Sequence, residues 1–101
     1  MFSVEEVPPP TDWSRVYIRD AVMPPGQPGW FICCPSVILN QTGIYLHRDL
    51  VWRNKAVLRH DGVSIFSGYY ATEEEAKETL RRFREEFEEP VPIIVMGSTN
   101  A

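Results

Sequence analysis

Residues 55–89, KAVLRHDGVSIFSGYYATEEEAKETLRRFREEFEE, pass from a hairpin signal straight into a capped amphipathic helix, and this succession decides the fold. Asp61-Gly62 tolerates positive φ at both positions, as the tight primed turn between two twisted strands requires. With that turn fixed, His60 faces Val63, Arg59 faces Ser64, Leu58 faces Ile65, Val57 faces Phe66 and Ala56 faces Ser67. Strand alternation then places Ala56, Leu58, His60, Val63, Ile65 and Ser67 on one face, and Lys55, Val57, Arg59, Ser64 and Phe66 on the other. The first set is the expected core face. Thr72 can accept from the amide three residues on while Glu75 reaches back, a capping box, and Glu73, Glu74 and Glu75 sit at the positive end of the helix dipole. Ala76, Leu80, Phe83 and Phe87 recur at spacings of four, three and four, one apolar stripe expected to lie on the hairpin. The pairs Glu73 with Lys77 and Glu78 with Arg82 should brace the wet side.

Outward from this unit, 101 residues with 44% hydrophobic and 12% aromatic content suffice for one modest core. The formal net charge of −4 is unevenly placed. Six basic and six acidic residues balance in 1–71, whereas from Thr72 onward four basic meet eight acidic, so the helix is the acidic part. Between His47 and His60 the balance reverses, with Arg48, Arg53, Lys55 and Arg59 against Asp49 alone. No apolar run approaches the ~18 residues of a membrane span. The N-terminus, MFSVEEVPPP, is acidic and lacks the basic start and apolar stretch of a signal peptide. A cytoplasmic setting is therefore expected, with no membrane association. Cys33 and Cys34, adjacent on a strand, point to opposite faces and are expected as buried free thiols.

Residues 1–12 read as a flexible proline-rich tail, 13–96 as a single domain and 97–101 as a flexible end. Residues 13–20 alternate, with Val16 and Ile18 on one side and Arg15, Tyr17 and Arg19 on the other, a half-buried strand. A turn-rich loop, MPPGQPG, spans 23–29. The most apolar stretch, 30–39, suits a central strand with an irregularity at Pro35. Residues 40–43 should turn the chain and 44–46 start a short strand, while 47–54 fits either strand or a helical turn. After the helix, 93–96 reads as a short strand. The fold class is α+β: an antiparallel sheet of four to six strands with one long amphipathic helix on one face.

Residues 47–54, HRDLVWRN, match the H-R-D-L-x-x-x-N loop of protein kinases and resemble its tyrosine-kinase form. The resemblance implies Asp49 as catalytic base and Asn54 as magnesium ligand. A Gly-rich loop and a strand lysine are absent, and Ile65-Phe66-Ser67-Gly68 stands where D-F-G should follow, so phosphoryl transfer is not expected. His47 and His60 with the vicinal cysteines lack zinc-ligand spacing, and no G-x-S-x-G or activated cysteine is present; no metal, cofactor or catalytic residue is assigned. The order of strands then helix, with SGYYATEEEAKETL closing it, resembles the DNA-binding domain of plant ethylene-response factors and phage-integrase arms, and half of a SPOR domain.

The strand parities put Arg15, Tyr17, Arg19, Lys55, Val57, Arg59 and Phe66 together on the sheet face away from the helix. These are the candidate binding residues. The expected function is a small non-enzymatic interaction module that engages a protein partner, or a second copy, through that open face or an edge strand such as 93–96. Basic and aromatic residues on an open sheet also suit single-stranded nucleic acid, the alternative reading. A second alternative is an enzyme with a pocket near 23–29.

Overall fold

A computed structural model describes residues 7–10, 12–23, 26–36 and 41–96. A 3-10 turn, Trp13–Arg15, leads into β1 (Tyr17–Met23), β2 (Gln27–Ser36), β3 (Gln41–Leu46) and β4 (Trp52–Arg53). A hairpin of β5 (Leu58–His60) and β6 (Val63–Ile65) precedes helix α1 (Glu73–Phe87), and β7 (Val95–Met96) closes the order. The chain is α+β: α1 packs on a five-stranded sheet of order β4-β3-β2-β1-β7, and β5-β6 form a separate two-stranded sheet. All pairings are antiparallel except β1 with β7. After the hairpin, α1 carries the chain to the far edge of the sheet, where β7 joins β1 in parallel.

The helix starts and stops as its termini dictate. Thr72 Oγ1 accepts from Glu75 N–H at 3.2 Å, and the Glu75 carboxylate accepts from Ala71 N–H at 3.3 Å, one residue before the cap itself. Glu88 ends the helix in the left-handed region at φ 54, its N–H donating to the Arg84 carbonyl. Lys77 pairs with Glu73 at 2.9 Å as expected, whereas Glu78 pairs with Arg81 at 2.6 Å rather than with Arg82.

Ala76, Leu80 and Phe83 are buried against Val16, Ile18, Ile32, Cys34, Ile44, Leu46 and Trp52. Leu80 and Phe83 each contribute roughly 1.5–3 kcal/mol by burial. The two vicinal cysteines are free and buried, Cys34 within this core and Cys33 on the other face of β2. At Pro35 the β2–β3 register shifts, because proline offers no N–H to the ladder. Val7, in the segment expected as a tail, meets the domain: its N–H donates to the Trp52 carbonyl at 3.0 Å.

Four expectations are corrected. The hairpin keeps its register, with Leu58 opposite Ile65, Arg59 opposite Ser64 and His60 opposite Val63, but it does not underlie the helix. Its expected core face is buried only at the base, at Ala56; Leu58 and Ser67 are half-buried, and toward the tip Val63 is 59% and Ile65 42% exposed. Three residues per strand offer the helix too little apolar area, and β1 and β2 take that place. Phe87, at the end of the stripe, runs past the sheet and is 51% exposed, stacked on Phe83 at 4.6 Å between centroids. Gln41 and Gly43 belong to β3 instead of a turn. The 23–29 loop is mostly strand, since β1 reaches Met23 and β2 starts at Gln27. Residues 37–39 of the expected central strand, and 97–101, lie outside the described residues.

Candidate functional site

The face of the sheet turned away from α1 carries two cross-strand rows. Pairing of Tyr17 with Cys33, Cys33 with Tyr45 and Tyr45 with Arg53 aligns these four side chains across β1 to β4. The second row runs from Met96 on β7 to Arg19 on β1 and Phe31 on β2. Beyond Phe31 the row continues through Tyr69 and Phe66, which come from the segment between the hairpin and the helix. Phe31 meets Tyr45 edge-on at 5.2 Å between centroids and Tyr69 at 6.2 Å, and Tyr69 meets Phe66 at 6.2 Å. Gly29 permits this arrangement: a Cβ there would stand 3.3 Å from the Tyr70 carbonyl oxygen and 4.0 Å from the Tyr69 ring. Phe31, Tyr45, Phe66 and Tyr69 are half-buried, so each leaves part of a ring to solvent. Among the described residues no helix crosses this face.

Polar groups within the rows are largely committed. The Tyr17 hydroxyl bonds to the Cys33 thiol, and that bond, with burial, pushes the phenol above its usual range. Burial pushes the Cys33 thiol up in turn, so neither group is an activated nucleophile. Arg53 is buried and forms a two-pronged ion pair with Asp49, with Nη1 to Oδ1 and Nη2 to Oδ2 both at 3.0 Å. Burial raises the Asp49 carboxyl, but the Arg53 hydrogen bonds and charge, helped by the Val51 amide, outweigh it and hold the group below its ordinary value. A carboxyl lowered in the folded state contributes stability that is present above the ordinary value of 3.8 and lost as pH falls through the folded value. The stability gap between the wild type and Asp49→Asn is accordingly expected to be widest near neutrality and to shrink below about pH 4. Urea titrations at a series of pH values measure it; a gap independent of pH would remove the ion pair from the acid response.

The residues of the kinase-like loop are engaged with the chain's own groups or buried. Asp49 faces Arg53 in a tight turn whose Leu50 sits at φ 65, and the Asn54 side-chain oxygen is buried without a hydrogen-bond partner. His47 is fully buried. Its Nε2 lies 2.7 Å from the Lys55 carbonyl oxygen, an acceptor only, so Nε2 carries the proton; in the neutral ring Nδ1 accepts from the Ser67 hydroxyl at 2.8 Å. Its role is to tie the base of the hairpin to β3.

Of the seven sequence-derived candidates, Tyr17, Arg19 and Phe66 lie on the aromatic face. Arg15 is exposed in the turn before β1. Lys55 and Val57 lead into the hairpin and Arg59 lies on it, apart from the main sheet. Sequence reasoning missed Phe31, Tyr45, Tyr69 and Arg53. The parity of Phe31, Tyr45 and Arg53 was readable only once their register to β1 was known, and Tyr69 lies on no strand and has no parity to read.

A broad open depression lies at the β1–β2 turn, lined by Arg19, Asp20, Val22, Pro28 and Trp30 among others. Its only described ionisable side chains are Arg19 and Asp20. Among the described residues no group of three or more His, Cys, Asp or Glu side chains is placed to hold a metal ion, and no helix is long and apolar enough to cross a membrane. Comparison of the chain with protein-family models, with curated proteins and with solved structures finds no match.

Proposed function

We propose that the protein is a small non-enzymatic interaction module that engages a protein partner through the aromatic face of its main sheet, in a cytoplasmic setting. The observation that carries this reading is the continuous row Met96, Arg19, Phe31, Tyr69, Phe66, half-buried rings flanked by one cation with no helix among the described residues over them. Amphipathic aromatic and arginine side chains of this kind supply the central contacts of protein interfaces. The committed state of Arg53, and the placement of Lys55 and Arg59 off the face, leave it little positive charge for phosphates. That weighs for a protein over a nucleic acid. Two free buried thiols support the reducing compartment.

Affinity purification from the native host tests the proposal with three baits: wild type, the double variant Arg19→Glu with Phe66→Ala, and Glu86→Lys on the far helix surface. A partner held by the first and third baits and lost by the second is the expected result. Retention by the face variant would overturn the site. Titration of a fluorescent single-stranded oligonucleotide at two salt concentrations separates the nucleic-acid reading: salt-sensitive binding abolished by Arg19→Glu would replace a protein partner with a nucleic acid.

A further inference from the structure

The β5–β6 arm is the one part of the described chain that exposes apolar strand residues on a sheet of only two strands. Such a ribbon is marginal in water without a third strand or a covering element. Its base is fastened by four contacts: Gly68 N–H to the Ala56 carbonyl at 2.9 Å, Arg48 N–H to the Ser67 carbonyl at 3.1 Å, and the two bonds of His47. Along its length, among the described residues, neither strand pairs with any strand but the other. Asp61 at φ 53 and Gly62 at φ 77 form a two-residue primed turn, which closes on a hydrogen-bonded His60/Val63 pair. Antiparallel pairs alternate, so Leu58/Ile65 is hydrogen-bonded and Arg59/Ser64 is not. The N–H and C=O of Ser64 therefore point away from β5, toward an outer edge that pairs with no other strand among the described residues.

Strand edges are ordinarily guarded by charge, proline or a bulge. The outer edge of β5 has such a guard, because self-pairing there would set Arg59 against Arg59. The outer edge of β6, Val63-Ser64-Ile65, carries no charge, no proline and no bulge. We infer that this edge is a self-pairing site: a second copy of the chain adds its own β6 antiparallel to β6, about a two-fold axis at Ser64. The inference concerns the outer edge of β6, which shares only Phe66 with the aromatic face, and does not rest on that face.

Register follows from the axis. Ser64 lies opposite Ser64 of the second copy and the two exchange both backbone hydrogen bonds; Val63 lies opposite Ile65, Gly62 opposite Phe66 and Asp61 opposite Ser67. The apolar side chains of the two arms then join into one stripe across four strands. Charge agrees with this direction. The tip carries Asp61, whose side chain is 87% exposed, and the base carries Lys55 and Arg48, the latter half-exposed and 3.6 Å from Glu75. Antiparallel pairing brings each acidic tip to the other copy's basic base, twice over by symmetry.

Sedimentation velocity between about 1 µM and 1 mM should show a reversible dimer of small interface. Ser64→Pro deletes the outward N–H and leaves the internal hairpin bonds intact; it is expected to weaken association at least about tenfold. Ile65→Lys should do the same from the side-chain layer, which covers the case in which proline disturbs the arm itself. The most direct readout is amide hydrogen exchange: protection of Ser64 N–H should rise with protein concentration. A monomer throughout the range, a dimer that survives Ser64→Pro and Ile65→Lys, or a dimer with Ser64 N–H unprotected would overturn the inference.

Discussion

Phe83→Ala is expected to lower stability by about 3–5 kcal/mol. At roughly 4–8 °C per kcal/mol for a domain of this size, the melting temperature should fall by about 12–40 °C. The reason lies in how many elements the one ring joins. Phe83 is 2% exposed, sits 5.5 Å from Trp13 and 5.8 Å from Trp52 between centroids, and meets the Trp52 ring edge-on. It thus joins the turn before β1, the edge strand β4 and the helix. Trp13 is in turn fixed by its Nε1–H donating to Glu89 Oε1 at 2.9 Å, just beyond the end of α1. Two indoles and a helix cannot collapse into the space that a benzyl group leaves without moving all three elements, so most of the cavity should persist. Phe87→Ala is the control. Its ring stacks on the same Phe83 but is half in water, and its loss should cost on the order of 1 kcal/mol. Thermal melts of the two variants decide the matter, and an Phe83→Ala melt coincident with the wild type would take this helix out of the core.

The same pair of phenylalanines marks how far the sequence could be read. Periodicity placed both on one stripe, and the stripe is real, but periodicity carries no information on where the sheet beneath it ends. The hairpin teaches the complementary lesson. Asp61-Gly62 fixed the pairing of residues 58–60 with 63–65 by local backbone geometry alone, and that pairing is present. The expectation that Leu58 and Ile65 face the helix needed a tertiary fact, namely which strands the helix lies on. Local alternation is the same for a strand that faces a core and for one that faces water. The apolar run of β2 hid the aromatic face for a related reason. A strand buried on one side and half-buried on the other reads as uniformly apolar, so Phe31 and Cys33 could not be told from Ile32 and Cys34. Tyr17 and Arg19 were legible because residues 15–19 alternate cleanly around buried Val16 and Ile18. Arg53 was not, because its burial depends on Asp49 four residues earlier across a turn set by a left-handed Leu50.

Gly68→Ala is the second substitution expected to have a large effect, although it adds a single methyl group. A Cβ at this position would fall 2.6 Å from the Ala56 carbonyl oxygen, 2.8 Å from Ala56 Cα and 3.0 Å from His47 Nε2. The first two are backbone atoms, which cannot swing aside as a side chain can. Relief requires the 55–56 and 67–68 segments to separate, and that motion stretches the Gly68 N–H to Ala56 bond and the His47 bond to Lys55 together. Overpacking of this kind costs about 1–3 kcal/mol, and a buried imidazole left without its acceptor adds about 1–3 kcal/mol more. Gly62 gives the contrast. Its φ of 77 demands glycine for conformational reasons, but a Cβ there would meet nothing within 4 Å, so Gly62→Ala should cost roughly 1 kcal/mol and act on the arm's tip alone. Hydrogen exchange separates the two. In Gly68→Ala the amides of Gly68 and Arg48 at the base should lose protection together with a lowered global melt, whereas in Gly62→Ala the base should stay protected while Val63 N–H exchanges faster. If Gly68→Ala melts with the wild type and keeps its base amides protected, the arm is not held by this close approach, and the tie that His47 makes between β3 and the arm carries no weight in the stability of the domain.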